Sequence, residues 1–202
     1  MKKITLLLLL VIVTLSCNLS REKKDKSSST FSDEIINIPK KEAKLLYEKS
    51  IESAKNNDFK TELSLLIKAD SICPNTPCIL TNIGTDYAIF KDYTLAINYY
   101  DRVLNINSQY SKVHVNYAKV LNHLERYSEA VEIEKKGLEI DSIHELDKKM
   151  LLFSLGISYS KLEKYDLALN ALTKANECSN HEYKKDEIKG LEDYIKSKMK
   201  NK

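Results

Sequence analysis

The residues of this sequence that could bind a metal ion include four histidines, which are scattered along the chain: His114, His123, His144 and His181. His114 and His123 fall in one segment of helical spacing, nine residues apart. At about 100° per residue, nine residues turn a helix through about 900°, which places the two side chains on opposite sides. They cannot share a metal ion, and the sequence predicts no metal site.

Two of the four cysteines frame the segment CPNTPC, at Cys73 and Cys78. In an exported protein, cysteines this close could form a disulfide, provided that their Cα atoms come within about 7 Å of each other. The two prolines stiffen the segment. The sequence therefore allows either a disulfide or two free thiols at these positions. The C-x4-C spacing is not a standard zinc motif, and Cys178 is expected to be a small buried side chain.

The spacing of the polar residues predicts no catalytic group. Helical periodicity brings together no Ser-His-Asp, Cys-His or paired-carboxylate arrangement. The four glycines form no phosphate-binding loop. We therefore expect no catalytic residue and no cofactor, and an enzyme is the least favoured class of function.

The N-terminus has the pattern of an export signal. Two lysines follow Met1, and residues 4–15 form an apolar run, ITLLLLLVIVTL, interrupted only by threonines. Twelve helical residues span about 18 Å, whereas the hydrocarbon core of a bilayer is about 30 Å thick. The run is therefore too short to cross a membrane, and residues 1–16 are predicted to be a signal peptide.

The end of this signal, Thr14-Leu15-Ser16-Cys17, resembles the lipobox of bacterial lipoproteins. In that motif a small residue precedes a cysteine that is lipidated and becomes the new N-terminus. The resemblance implies lipidation at Cys17 and a protein of the bacterial cell envelope, periplasmic or surface-facing, held to a membrane by its acyl chains. The alternative is a plain secretory signal with an incidental cysteine.

The charge of the chain gives no general reason to bind nucleic acid. Removal of residues 1–16 takes away Lys2 and Lys3 and lowers the formal charge from +3 to about +1. Residues 17–42 mix charged residues with a Ser/Thr tract and a proline, without a sustained period, so a flexible tether is predicted there.

From Ala43 onward the sequence repeats every 34 residues. Units are predicted at 43–76, 77–110 and 111–144, and a fourth at 149–182 follows a short excess at 143–149. Each unit contains two segments with apolar residues three and four apart, the spacing of amphipathic helices. Small residues recur at one position of the first segment, where they let two helices approach closely: Ser50, Gly84, Ala118 and Gly156.

This pattern resembles the tetratricopeptide repeat (TPR) family. The second unit shows the motif best, with Leu80, Ile83, Gly84 and Tyr87 in its first helix and Tyr93, Ala96, Tyr100 and Val103 in its second. The resemblance implies an all-α fold, an α-solenoid of four TPR helix pairs, each pair burying its apolar face against its neighbours. Residues 183–202 are predicted to add a capping helix and a basic tail.

The TPR resemblance also implies a binding face, because the first helix of each unit lines the concave side of such arrays. Transfer of the register places these residues on or beside the predicted groove: Tyr47, Ile51, Thr81, Asn82, Thr85, Val115, Asn116, Lys119, Asn122, His123, Phe153 and Ile157. Their amides could bond a peptide backbone. Tyr47 is expected to be accessible to a ligand, whereas Ile51 and Ile157 could instead pack between units.

The expected function is therefore a non-enzymatic scaffold or adaptor that binds a protein or peptide partner at the cell envelope. A glycan-binding surface lipoprotein is the alternative, although the chain has no tryptophan to stack on sugar rings.

Overall fold

The computed structural model describes residues 38–179 and 184–200, and these residues form helices and the turns that join them, with no β-strand. The predicted signal peptide, Cys17, most of the tether and His181 lie outside the described residues. The helices within the described ranges are α1 (Lys41–Lys55), α2 (Phe59–Ile72), α3 (Pro77–Ile89), α4 (Tyr93–Ile106), α5 (Ser111–His123), α6 (Tyr127–Leu138), α7 (Glu145–Lys161), α8 (Tyr165–Glu177) and α9 (Lys185–Lys200). None of these helices is long and apolar enough to cross a membrane.

The chain divides into two compact units, Met1–Asp92 and Tyr93–Lys202. In the first unit, α1 packs against α2 and α2 packs against α3. Its buried side chains include Tyr47, Leu66, Leu80 and Ile83. Ile38, just before α1, is buried as well. The described residues of the first unit therefore begin inside the segment predicted to be a tether.

The second unit is organised around α7, which packs against α5, α6 and α8. Helix α9 packs on α8 and buries Ile188 and Ile195 in a cluster with Leu172 and Leu155. The remaining turns of α9 carry lysines, aspartates and glutamates that are exposed or half-exposed. This distribution is the one that a terminal capping helix needs.

The same turn closes four helices. In each, the backbone N–H of the residue after the turn donates to a carbonyl five residues earlier at 2.9 Å: Asp58 to Ser53, Asp92 to Tyr87, Arg126 to Leu121, and Lys164 to Tyr159. The residue just before each of these donors has a positive φ: Asn57, Lys91, Glu125 and Glu163. This is the Schellman arrangement, which satisfies carbonyls at a helix end and reverses the chain. The 34-residue sequence period thus corresponds to a repeated turn.

Most of the short excess at 143–149 lengthens a helix, since residues 145–149 are helical and residues 143 and 144 precede them. Helix α7 begins at Glu145 and runs for 17 residues, and His144 accepts a hydrogen bond on Nδ1 from the backbone N–H of Leu146 at 3.3 Å. The added turn packs on α5, where the Ser111 hydroxyl donates to Oδ2 of the buried Asp147 at 2.5 Å.

Cys73, Cys78 and Cys178 are buried, and no disulfide joins these described cysteines in the structure. Oxidation of Cys73 and Cys78 to a disulfide stays a prediction. Cys73 is the residue that caps the end of α2, and the Thr76 hydroxyl lies 2.9 Å from its carbonyl oxygen and 3.4 Å from its Sγ. Cys178 is the small buried side chain that its place in the fourth repeat predicts.

Candidate functional site

In the second unit, the predicted face consists of α5 and α7, which pack side by side. Val115 is buried there, and His123 is exposed at the end of α5. The other predicted residues are half-buried: Asn116, Lys119, Asn122, Phe153 and Ile157. This part of the face therefore offers two apolar side chains together with amide, ammonium and imidazole groups.

In the first unit, most residues of the predicted binding face are buried between the helices. Tyr47 and Thr81 are each 1% exposed, and Ile51 is also buried. Asn82 is half-buried, and its amide donates to the Tyr47 hydroxyl at 3.2 Å. The expectation that Tyr47 is accessible to a ligand is wrong, because its ring is enclosed in the core.

Thr85 is half-buried, and its hydroxyl is occupied within its own helix, since it donates to the carbonyl of Thr81 at 2.8 Å. Such a bond to the preceding turn is common for threonine in helices. Whether the first-unit residues contact a partner stays a prediction.

A polar cluster joins three helices of the second unit behind this face. Oε1 of Glu134 on α6 accepts from Ser154 Oγ at 2.5 Å, from Ser158 Oγ at 3.0 Å and from Asn122 Nδ2 at 3.0 Å. The serines belong to α7 and Asn122 to α5. We call these four residues the Glu134 cluster.

The hydrogen bonds of the cluster use most of the capacity of Asn122. Its Nδ2 also lies 3.0 Å from Ser154 Oγ, and its Oδ1 lies 2.9 Å from Ser158 Oγ. An amide has two N–H donors and one oxygen with two lone pairs. Glu134 Oε1 and Ser154 Oγ are only 2.5 Å apart, so one N–H of Asn122 can point between them, and Asn122 Oδ1 is the group of this amide that faces Ser158.

Glu134 is completely buried, at 0% exposure, and its Oε2 has no hydrogen-bond partner among the described residues. Burial raises the pKa of Glu134 to about 7, against the opposing effect of the hydrogen bonds from Ser154, Ser158 and Asn122. Burial disfavours the charged form of a carboxyl group because water no longer solvates the charge.

The sequence prediction missed Glu134, although the repeat contains the signal. The 34-residue period aligns Glu134 with Leu66 and Tyr100, and the 38-residue step to the fourth unit aligns it with Leu172. All three of these side chains are fully buried. A glutamate at a position that is apolar in every other unit is an exception to the pattern, and such exceptions indicate either a paired polar group or a functional one.

His123 has a partner at the edge of the face. The Tyr93 hydroxyl lies 2.7 Å from His123 Nε2, and the two ring centroids are 4.9 Å apart. Partial burial raises the pKa of Tyr93, so its hydroxyl keeps its proton.

His114 lies on α5 as a packing residue. A hydrogen bond joins its Nε2 to the carbonyl of Ser108 at 3.0 Å. Helix α6 packs closely on it, since a Cβ built on Gly137 would lie 2.8 Å from the Cβ of His114. Burial, with a smaller effect of Lys136, lowers the pKa of His114 to about 4. The described residues contain no group of three or more side chains of the kinds that bind metal ions.

Comparison with known proteins relates the fold to helical repeats. No protein-family model matches the sequence. Over 108 residues the chain is 30% identical to anaphase-promoting complex subunit 3 of Schizosaccharomyces pombe. The match covers 52% of this chain and 15% of that protein, so the chain corresponds to a small part of the curated relative.

The solved structures that resemble the chain include the following three. PilF of Pseudomonas aeruginosa has a TM-score of 0.70 and 16% identity, over 79% of this chain and 69% of that one. The Sgt2 TPR domain of Aspergillus fumigatus has a TM-score of 0.57 and 19% identity, over 63% and 83%. The first TPR domain of Spaghetti (RPAP3), bound to the HSP90 peptide SRMEEVD, has a TM-score of 0.55 and 19% identity, over 60% and 93%. These likenesses confirm the predicted fold, an all-α helical repeat of the tetratricopeptide type.

Proposed function

We propose that this tetratricopeptide-repeat chain is a non-enzymatic scaffold that binds a protein or peptide partner on the α5–α7 face of its second unit. The observation on which the proposal rests is the composition of that face. It combines the half-buried apolar side chains of Phe153 and Ile157 with the polar groups of Asn116, Lys119 and His123. The peptide-bound TPR domain of RPAP3 supports the proposal at the level of the fold.

The face suits an extended peptide for two physical reasons. Phe153 and Ile157 are one helical turn apart on α7, so both can contact one apolar side chain of a partner. Amide and imidazole groups beside them can bond a peptide backbone, whose own donors and acceptors need partners once they leave water. Because helices position all of these groups, the face needs little ordering when a partner binds.

Photo-crosslinking tests the proposed face. A photoreactive residue replaces Ile157 on the face, and the control replaces Glu139, which is exposed at the end of α6. Thr81 is unsuitable as a probe position because it is buried. We expect one dominant protein adduct from position 157 that is absent from position 139. Equal adducts at both positions, or none at either, would contradict the proposed face, and the second outcome favours the glycan-binding alternative.

We further propose that lipidation of Cys17 holds the scaffold at the bacterial cell envelope, with the residues before α1 as its tether. The support is the short apolar run of residues 4–15 and the lipobox-like residues that follow it. More than one acyl chain gives stable membrane attachment.

Metabolic labelling with a fatty acid, followed by fractionation, tests the anchor. We expect the wild-type chain to be labelled and to sediment with membranes, and Cys17→Ala to lose both properties. Cys178→Ala is the matched control, since it removes a cysteine inside the folded part and should keep the label. A Cys17→Ala chain that stays in the membrane fraction would disprove the anchor without affecting the proposed binding face.

A further inference from the structure

The Glu134 cluster has more hydrogen-bond acceptors than hydrogen atoms to satisfy them. The Ser158 hydroxyl has one proton but lies within reach of three acceptors: Glu134 Oε1 at 3.0 Å, Asn122 Oδ1 at 2.9 Å and the Ser154 carbonyl at 3.1 Å. A hydroxyl donates only one hydrogen bond. The charge on Glu134 therefore decides which acceptor receives this proton.

The two oxygens of Glu134 differ sharply in their surroundings. Three donors converge on Oε1, whereas Oε2 is buried without a hydrogen-bond partner among the described residues. A buried charged oxygen without donors costs more free energy than a neutral hydroxyl in the same place. A proton taken from solvent therefore belongs on Oε2, while Oε1 continues to accept from Ser154 and Asn122.

We propose that Glu134 is a buried proton-binding site and that its protonation positions the side chain of Asn122 on the α5–α7 face. With Glu134 neutral, Ser158 donates to Asn122 Oδ1 and fixes the amide from both ends. With Glu134 ionised, the Ser158 proton turns to Glu134 Oε1, and Asn122 Oδ1 is released to accept a hydrogen bond from solvent or from a partner. Glu134 acts through Asn122 and is a positioning residue.

The groups that bond Glu134 within the cluster carry no charge of their own. From α5 it faces the amide of Asn122, and from α7 the hydroxyls of Ser154 and Ser158, all of them neutral. Burial raises the pKa of Glu134 to about 7, and these three hydrogen bonds oppose that shift.

Two buried titratable groups of α5 keep one charge state near neutral pH, whereas His123, the residue after Asn122, is exposed. On α5, burial keeps the pKa of His114 at about 4 and raises that of Tyr117 to about 12. On α7, the buried Asp147 and Lys149 precede Ser154 by about two turns and one and a half turns.

NMR of the full chain in detergent micelles, with no partner present, tests the proposal and does not depend on the proposed binding function. Glutamate 13Cδ signals and asparagine side-chain amide signals are followed from pH 4 to 9. We expect one glutamate carboxyl to titrate near pH 7, well above the ordinary value of about 4.3. The Asn122 amide signals should shift with the same midpoint.

Variants assign these signals and separate positioning from simple packing. Glu134→Gln should remove the glutamate titration near pH 7 and make the Asn122 signals independent of pH. Ser158→Ala keeps Glu134 but removes a donor to its carboxylate, so the midpoint should move upward. Glu134→Leu, which introduces the residue found at the aligned positions Leu66 and Leu172, provides a second assignment variant if the glutamine variant does not fold.

Two results would overturn the proposal. One is a wild-type chain in which every glutamate carboxyl titrates at its ordinary value. This result would show that Glu134 is already ionised at neutral pH. The other is an Asn122 response that persists unchanged in Glu134→Gln or Glu134→Leu, which would assign the response to another group.

Discussion

Gly156 of α7 lies so close to Leu172 of α8 that a Cβ built on the glycine would stand 2.6 Å from Leu172 Cδ2 and 2.8 Å from Leu172 Cγ. The two helices of the fourth repeat therefore meet at a position where only a hydrogen atom fits. Gly190 of α9 occupies the equivalent position one period later, and a Cβ there would meet no atom within 4 Å. Glycine is therefore required for close helix packing at position 156, whereas position 190 has room for a side chain.

These two glycines form a matched pair for mutation. We expect Gly156→Ala to lower the free energy of unfolding by about 1–3 kcal/mol, because Leu172 must shift to admit the methyl group. Gly190→Ala should raise it by about 0.5–1 kcal/mol, since alanine favours the helix and meets nothing. Urea unfolding followed by circular dichroism measures both. A stabilising Gly156→Ala would show that α7 and α8 are less closely packed than described.

Removal of the charge at Glu134 should change how stability depends on pH. The pKa of Glu134 is raised from 4.5 to about 7 in the folded chain, so the unfolded chain releases this proton at lower pH. The contribution of Glu134 to stability is therefore fully present below about pH 4.5 and is lost as pH rises toward 7. At pH 8, Glu134→Gln should be more stable than wild type by up to about 3 kcal/mol.

Urea unfolding of both chains at pH 4, 6 and 8 provides the measurement. The expected sign is a difference that grows with pH. A constant difference between Glu134→Gln and wild type at all three values would contradict the buried, uncharged state of Glu134.

His114 should have the opposite effect on stability. Its pKa is lowered from 6.5 to about 4 in the folded chain, so the unfolded chain binds the proton first as pH falls. Its contribution to stability is fully present above about pH 6.5 and is lost as pH falls toward 4, by up to about 3 kcal/mol. His114→Asn can keep a hydrogen-bond donor for Ser108 and should unfold with a weaker loss of stability in acid.

Thermal unfolding of wild type and His114→Asn at pH 4.5, 5.5 and 7 checks this expectation. His123→Asn is the control, because His123 is exposed on the same helix. An equal loss of stability in acid for wild type and His114→Asn would mean that His114 is accessible to protons in the folded chain.

The contact between Ser111 and Asp147 should stabilise the added turn of α7. The Ser111 hydroxyl donates at 2.5 Å to a carboxylate that is buried, and a hydrogen bond to a charged group contributes about 1.5–3 kcal/mol. We expect Ser111→Ala to lower the free energy of unfolding by about this amount. Ser142→Ala, at an exposed position before α7, is the control and should change it by less than about 0.5 kcal/mol.

Hydrogen exchange locates the effect of Ser111→Ala. The backbone amides of the first two turns of α7 should lose protection, whereas those of α8 should not. Uniform loss of protection across the second unit would show that the contact stabilises the whole unit instead of the added turn.

The repeat pattern predicted the helices because their apolar spacing and the register of small residues are local properties. Gly156 was predicted to allow close approach of two helices, and its contact with Leu172 confirms this. The turns followed from the same period, although their left-handed residues are lysine, asparagine and glutamate instead of glycine. Sequence alone could not decide whether residues 143–149 extend a helix, since that depends on the burial of Asp147 and Lys149.

Periodicity along the chain therefore determined the secondary structure and the fold of this protein, because the side chains that must be buried recur at fixed intervals. Accessibility was decided only by the tertiary structure. Tyr47 lies on the predicted face but is enclosed, and Glu134 lies on an apolar stripe but is bonded by Asn122, Ser154 and Ser158 from two other helices. The physical reason is that the burial and the hydrogen bonds of a side chain depend on residues 12 to 36 positions away in the sequence. The sequence of a single helix does not show which of those residues will contact it.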